Sequence, residues 1–218
     1  MAAPEDNLDE FRARLAELRV ELAPPSEPGS FLANTDGACI GNPGFGGWGT
    51  LVETPDFASR WELFGHLART TNNRAEALAV LAAFEWLPAG SALALRSDSE
   101  LTLNILRGQY KVKANPDIWA EIFSVRTAKK LDVQLEWVRG HAGDVGNERA
   151  DYLSRLGASG GDVARAESYG RVPTLATPKK PTEVDGLVGS TPWEKDFLKS
   201  VADQLRKGRT LSDKQQAI

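Results

Sequence analysis

The chain has 218 residues, of which 41% are hydrophobic and 26% charged, so collagen-like and wholly disordered classes are excluded. The one cysteine, Cys39, excludes an intrachain disulfide framework and any multi-cysteine zinc site, and it points to a reducing, cytoplasmic home. The net charge of −4 argues against a uniformly basic nucleic-acid-binding surface.

That total is unevenly spread. Residues 1–30 carry seven acids and three bases, residues 31–157 fifteen acids and thirteen bases, and residues 158–218 eight acids and ten bases. No apolar run approaches about 18 residues, so no membrane span is expected. The acidic N-terminus lacks the apolar region of a signal peptide.

Residues 8–22 predict an amphipathic helix, with Leu8, Phe11, Leu15, Leu18 and Leu22 at helical spacing. A Pro/Ser/Gly linker follows and completes an N-terminal segment, residues 1–30. FLANTDG predicts a strand ending in a turn, and CIGNPGFGG a loop. WGTLVE and SRWELFGHLA predict two strands joined by a hairpin. TNNRAEALAVLAAFEWL predicts a helix, ALALRSD a buried strand, SELTLNILRG and NPDIWAEIFSVRTAKK two helices, VQLEWV a strand and NERADYLSRLG a last helix. Three strands before the first of these helices imply an antiparallel meander joined to parallel strands, hence a mixed α/β sheet. Residues 158–190 are rich in Gly, Ala, Pro and Thr and predict a linker or extended loop. In the last segment, 191–218, residues 193–207 predict a second amphipathic helix, with Trp193, Phe197, Val201 and Leu205 on one face.

Four acids stand where these elements can bring them together. Asp36 ends the first strand, Asp98 ends a buried strand, Glu76 lies early in the first long helix and Asp151 early in the last. Taken singly, each has an ordinary explanation as a turn residue, a cap or a helix-dipole partner. Taken together they form an oxygen donor set at strand carboxyl ends, where open α/β sheets place ligands. Packed carboxylates repel, and bound Mg²⁺ or Mn²⁺ relieves that repulsion.

TDGACIGNPGFGGWG, TTNNRAEAL, LRSDSE and WVRGHAGDVGNERADYLSR together resemble ribonuclease H, type 1, over about residues 31–157. The resemblance implies a ribonuclease H-like five-stranded mixed sheet flanked by helices, here with N- and C-terminal helical extensions. It implies a metal-dependent endonuclease that hydrolyses the RNA strand of RNA–DNA hybrids by a two-metal-ion mechanism and leaves 5′-phosphate and 3′-hydroxyl ends. It implies that Asp36, Glu76, Asp98 and Asp151 hold two Mg²⁺ ions, or Mn²⁺, with Asp36 bridging both. His141, on a Gly-flanked loop, would serve proton transfer or product release. Gly37, Cys39 and Asn42 would meet the RNA 2′-hydroxyls in the wide minor groove. Asn72 and Asn73 would contact base edges or sugars, and Arg69, Thr71 and Asn115 would grip a DNA-strand phosphate.

Some positions depart from that family. Glu100, beside the expected scissile region, stands where many members have Gln. Asp144 replaces a residue that is often basic or imidazole. Only sixteen residues separate Asp98 from Asn115, which leaves no room for the longer basic protrusion of some members. The C-terminal segment, with Lys195, Lys199, Arg206, Lys207 and Arg209, is a candidate substitute for it. The expected partner is an RNA–DNA hybrid, with no membrane. Residues 8–22 or 193–207 offer surfaces for a protein partner or self-association; otherwise a monomer is expected. A junction-cleaving or transposase-like nuclease on the same fold and a non-catalytic hybrid-binding module are the competing functions.

Overall fold

A computed structural model of the chain describes residues 7–170 and 172–175. Its elements are α1 (Asn7–Leu22), β1 (Ser30–Ile40), β2 (Gly44–Glu53), β3 (Arg60–Thr70), α2 (Asn72–Trp86), β4 (Ala92–Ser97), α3 (Glu100–Leu106), α4 (Pro116–Ala128), β5 (Asp132–Trp137), α5 (Val145–Ala158) and α6 (Val163–Ser168). The five strands form one sheet in the order β3-β2-β1-β4-β5. β1 pairs antiparallel with β2, and β2 with β3, whereas β1, β4 and β5 are parallel. The expected meander joined to parallel strands is therefore present, with helices flanking it.

Two expectations need correction. The stretch CIGNPGFGG is not a long loop. β1 runs on to Ile40 and β2 begins at Gly44, leaving a short turn in which Gly41 has φ 87. Its glycines serve packing: a Cβ on Gly47 or Gly49 would collide with the α5 backbone at Ser154. Part of the expected linker is also structured. Asp162 caps α6 by accepting a hydrogen bond from the Arg165 backbone N–H at 3.0 Å, and Ala166 is fully buried in a cluster with Tyr152 and Leu156 of α5. The expected helix at 193–207, its basic cluster and positions 171 and 176–190 of the linker lie outside the described residues.

α2 explains how a small chain builds a core. It reads NNRAEALAVLAAFEW, with buried residues around most of its circumference, and it packs between β1 and α4. Its C-terminal carbonyls are met by Lys129, whose Nζ donates to Phe84, Glu85 and Leu87 oxygens at 3.2, 2.6 and 3.0 Å. A cation at a helix C-terminus satisfies both the open acceptors and the dipole.

α1 joins the same core. Phe11, Leu15 and Leu18 are buried in it, and the Phe11 ring lies 5.2 Å from that of Trp48. Arg14 Nε donates to the Phe64 carbonyl at 3.2 Å, and Arg12 pairs with Glu121 at 3.1 Å. Leu8, Phe11, Leu15 and Leu18 of the stripe are thus covered by the chain itself, whereas Leu22 at its end is exposed. Phe11→Ala should lower the unfolding free energy by about 3–5 kcal/mol, measured by chemical denaturation. A change within about 0.5 kcal/mol would mean that α1 is a surface appendage.

Candidate active site

The sheet positions the first two acids. β1 and β4 pair in parallel from Ser30↔Ala92 to Asn34↔Arg96. Asp36 and Asp98 each lie two residues beyond that last pair, where the strands part. Asp36 is therefore inside β1, not at its end as expected, yet it still stands at the end of the parallel ladder. Trp137 of β5 holds the Asp98 backbone, its indole N–H donating to the Asp98 carbonyl at 3.2 Å.

α2 brings the third acid. Thr71 caps it, its hydroxyl accepting from the Arg74 backbone N–H at 3.4 Å. Gly37 lets α2 lie against β1, because a Cβ there would collide with the backbone at Ala75 and Glu76. One carboxylate oxygen each from Asp36, Glu76 and Asp98 then lie within 4.8 Å of one another.

Asp151, in the second turn of α5, stands beside this group, not within it. Its Oδ2 accepts from Arg155 Nη2 at 3.0 Å. Arg155 in turn donates to the Ala166 carbonyl at 3.0 Å, which ties Asp151 to α6. One turn along, Ser154 Oγ donates to Asp36 Oδ2 at 2.6 Å.

The electrostatics follow from burying like charges. Burial, aided by the charges of Asp98 and Asp151, pushes Asp36 up to about 7 against the Ser154 and Gly37 hydrogen bonds. Burial, then Asp36 and Asp98, raise Glu76 well above its ordinary value. Glu76 Oε2 is buried without a hydrogen-bond partner. An orphaned carboxylate oxygen facing two more carboxylates is a donor set that fits a divalent cation with oxygen preference.

The histidine loop reaches the same place. Gly140 abuts Asp98, since a Cβ there would lie 2.5 Å from its Oδ2. His141 follows, exposed and with φ 51. Asp144 closes the loop as the α5 N-cap, accepting from the Asn147 backbone N–H at 2.9 Å. It also pairs with buried Arg96 at 2.8 Å, which accounts for an acid at this departing position.

The residues expected to contact substrate lie on β1 and its turn into β2, at the end of β3 and at the N-termini of α2, α3 and α4. Asn42 in the β1–β2 turn accepts from the Asn72 backbone N–H at 3.2 Å, joining two of the motifs. Thr71 caps α2, so the Asn72 and Asn73 side chains are not needed for that task. The Cys39 thiol points to the Thr70 carbonyl at 3.3 Å, and its burial raises its pKa. That leaves its backbone as the group available to a ligand. Arg69 is exposed, and Asn115 is the left-handed N-cap residue of α4, with φ 54. Glu100 is exposed in the first turn of α3, where the helix dipole favours an acid. A cavity of about 500 Å³, lined by Asn73, Tyr110, Lys111, Lys113, Asn115 and Trp119 among others, lies along α3, the segment after it and the start of α4.

Sequence reasoning missed Arg74, Ser154 and Arg155. Arg74 is buried, bonds both Asp117 oxygens at 3.0 and 2.7 Å, and donates through Nε to Asn7 of α1 at 3.1 Å. The signal for Ser154 and Arg155 was their spacing, three and four residues after Asp151 on one helix face.

A mixed sheet that clusters carboxylates where its parallel strands part, beside a Gly-flanked histidine loop, defines a candidate divalent-cation site. Residues 29–159 match the family described as RNase H. A ribonuclease H from Thermosynechococcus vestitus is 42% identical over 148 residues, covering 60% of this chain and 89% of that protein. Among solved structures, the N-terminal RNase H domain of a Mycobacterium tuberculosis protein, fused to maltose-binding protein, superposes with a TM-score of 0.54 at 28% identity, covering 65% of this chain and 99% of that one. LC11-RNase H1 in complex with an RNA/DNA hybrid gives 0.52 at 26%, covering 60% and 97%. The chain belongs to the RNase H family and is a metal-dependent ribonuclease H.

Metal-free protein should show the cost of this cluster in its pH dependence. Below the ordinary carboxyl value of 3.8, Asp36 is protonated whether the chain is folded or not, and it costs nothing. Between 3.8 and about 7 the unfolded chain gives up the proton more readily than the folded one, so stability falls as pH rises. The melting temperature in EDTA should decline across that window, and Asp36→Asn should flatten the decline. An Asp36→Asn profile parallel to that of wild type through the window would show that Asp36 carries no raised pKa.

Proposed function

We propose that this chain is an endonuclease that hydrolyses the RNA strand of RNA–DNA hybrids, leaving 5′-phosphate and 3′-hydroxyl ends, with two divalent ions held by Asp36, Glu76, Asp98 and Asp151. The observation that carries this reading is the convergence of three carboxylate oxygens within 4.8 Å beside Asp151. Mg²⁺ is the expected cation, with Mn²⁺ a substitute, and such a pair would supply positive charge against the charge developing on the phosphate and the leaving oxygen.

Asp36, whose carboxylate lies within 4.8 Å of those of Glu76 and Asp98, would be the ligand shared by both ions. Glu76 and Asp98 would complete its site, and Asp151, paired with Arg155 beside the group, would be the fourth ligand. His141, carried over Asp98 by Gly140, transfers a proton or eases product exit. Gly37, Asn42 and the Cys39 backbone would meet 2′-hydroxyls, and Asn72 and Asn73 the minor-groove edges. Arg69, Thr71 and Asn115 take a DNA phosphate, and Glu100 flanks the RNA strand. Phosphate contacts of this kind position a duplex without reading it, so sequence preference is weak. The reading rests on a catalytic domain over 31–157, with α1 as its support and the later segments as extensions. A cytoplasmic setting suits the lone thiol.

The hybrid in the LC11-RNase H1 complex supports this substrate class. The discriminating experiment offers one end-labelled RNA strand alone, in an RNA duplex and in a hybrid, with Mg²⁺, Mn²⁺ or EDTA. Metal-dependent cutting of the hybrid alone is expected. Asp98→Asn should slow cleavage by about three orders of magnitude while hybrid binding persists. No cutting by folded wild-type protein under either metal would leave a hybrid-binding module as the surviving function.

A further inference from the structure

Ser154 is fully buried on α5, one turn past Asp151. Its Oγ lies 2.6 Å from Asp36 Oδ2 and 2.8 Å from the Asp151 carbonyl. A hydroxyl has one proton to give, and a carboxylate is the stronger acceptor. The proton therefore goes to Asp36, while the nearby carbonyl of the preceding turn limits the hydroxyl to that side of the helix.

This contact depends on how closely α5 approaches the sheet. Gly49 of β2 pairs with Asp36 of β1, and its missing side chain leaves the space that the Ser154 and Leu153 backbone fills. Gly47, two residues before it, admits the Ser154 carbonyl and the Ala158 amide in the same way. The hydroxyl is thus delivered to one carboxylate oxygen of the central acid, and Asp36 is left its other oxygen and its remaining lone pairs for the side of the cluster that holds Glu76 and Asp98. A serine on a helix surface often does no more than bond its own preceding turn. Here it also bridges two layers of the fold, across 118 positions of sequence.

We propose that Ser154 is a positioning residue for the metal site: by donating to Asp36 Oδ2 it fixes the rotamer of that carboxylate and thereby sets the affinity for the divalent cation. The inference rests on the reading of Asp36, Glu76 and Asp98 as metal ligands. Outer hydrogen bonds that orient ligating groups typically change metal affinity by about 10- to 100-fold when removed.

The test is calorimetric titration of MnCl₂ into the metal-free full-length protein without nucleic acid, with melting in EDTA recorded for each variant. Ser154→Ala should bind Mn²⁺ about 10- to 100-fold more weakly than wild type. Ser154→Cys, nearly the same size but a poor donor, should also bind weakly and guards against a packing failure in the alanine variant. Thr50→Val removes another buried hydroxyl, which donates to the Ala79 carbonyl at 2.8 Å away from the acids. It should lower the melting temperature without moving the Mn²⁺ midpoint. If Ser154→Ala and Ser154→Cys melt lower but keep the wild-type midpoint, Ser154 is structural only and the inference is overturned. If wild type and Asp36→Asn alike fail to bind Mn²⁺, the metal-site reading itself falls, and the inference with it.

Discussion

Everything at the site depends on two helices approaching the sheet more closely than side chains would allow. α2 lies on β1 at Gly37, and α5 lies on β2 at Gly47 and Gly49. A methyl group at any of these positions would meet backbone atoms, which cannot move aside without carrying a helix with them. The result is that acids from β1, α2 and the end of β4 converge, with a fourth alongside on α5. The glycines are thus the geometric cause of the charge density, although none of them carries charge.

That density is unfavourable unless something answers it. Within the protein the answer is partial. Arg155 takes Asp151, Ser154 takes one oxygen of Asp36, and the Gly37 backbone N–H favours the ionised forms of Asp36 and Glu76. Glu76 keeps an unpartnered buried oxygen. A core built for stability alone would not leave it so, because a buried acceptor without a partner costs about 1–3 kcal/mol. The surrounding structure is rich enough to carry that cost, with α2 almost wholly buried and α1 adding Phe11, Leu15 and Leu18. Stability elsewhere and instability at the acids are two aspects of one arrangement.

Much of this is legible in the motifs alone. Asp36, Glu76 and Asp98 are short-range features of TDG, NNRAE and RSDSE, and the mixed sheet follows from the alternation of strand and helix patterns. What the motifs do not carry is anything set by packing between distant segments. Glycine is ambiguous in sequence: it marks a loop or a flat surface for a helix, and GNPGFGGWG holds both within a few residues. The α1 stripe is readable as apolar, but not its destination, since Trp48 lies 37 positions beyond Phe11. Arg74 is hidden inside a motif whose asparagines draw attention to ligand contacts, while its own partners, Asn7 and Asp117, lie 67 positions before it and 43 after. Residues that hold other residues in place have no local signature, because their spacing reflects the fold and not the chemistry.

The same point bears on where the catalytic unit ends. A family resemblance closing at residue 157 suggests that later residues are dispensable to the acids. Yet the Arg155 guanidinium that holds Asp151 donates its other face to the Ala166 carbonyl, and α6 is fixed there by Asp162 at its cap and by burial of Ala166 against Tyr152 and Leu156. An arginine bonded at one end only would be free to follow Asp151 wherever it moved. Anchored at Ala166, it gives Asp151 a defined place just outside the three-acid group. Residues 158–170 therefore belong energetically with the acids, and beyond α6 Val172 still packs against the same Tyr152, Leu156 and Ala166 cluster.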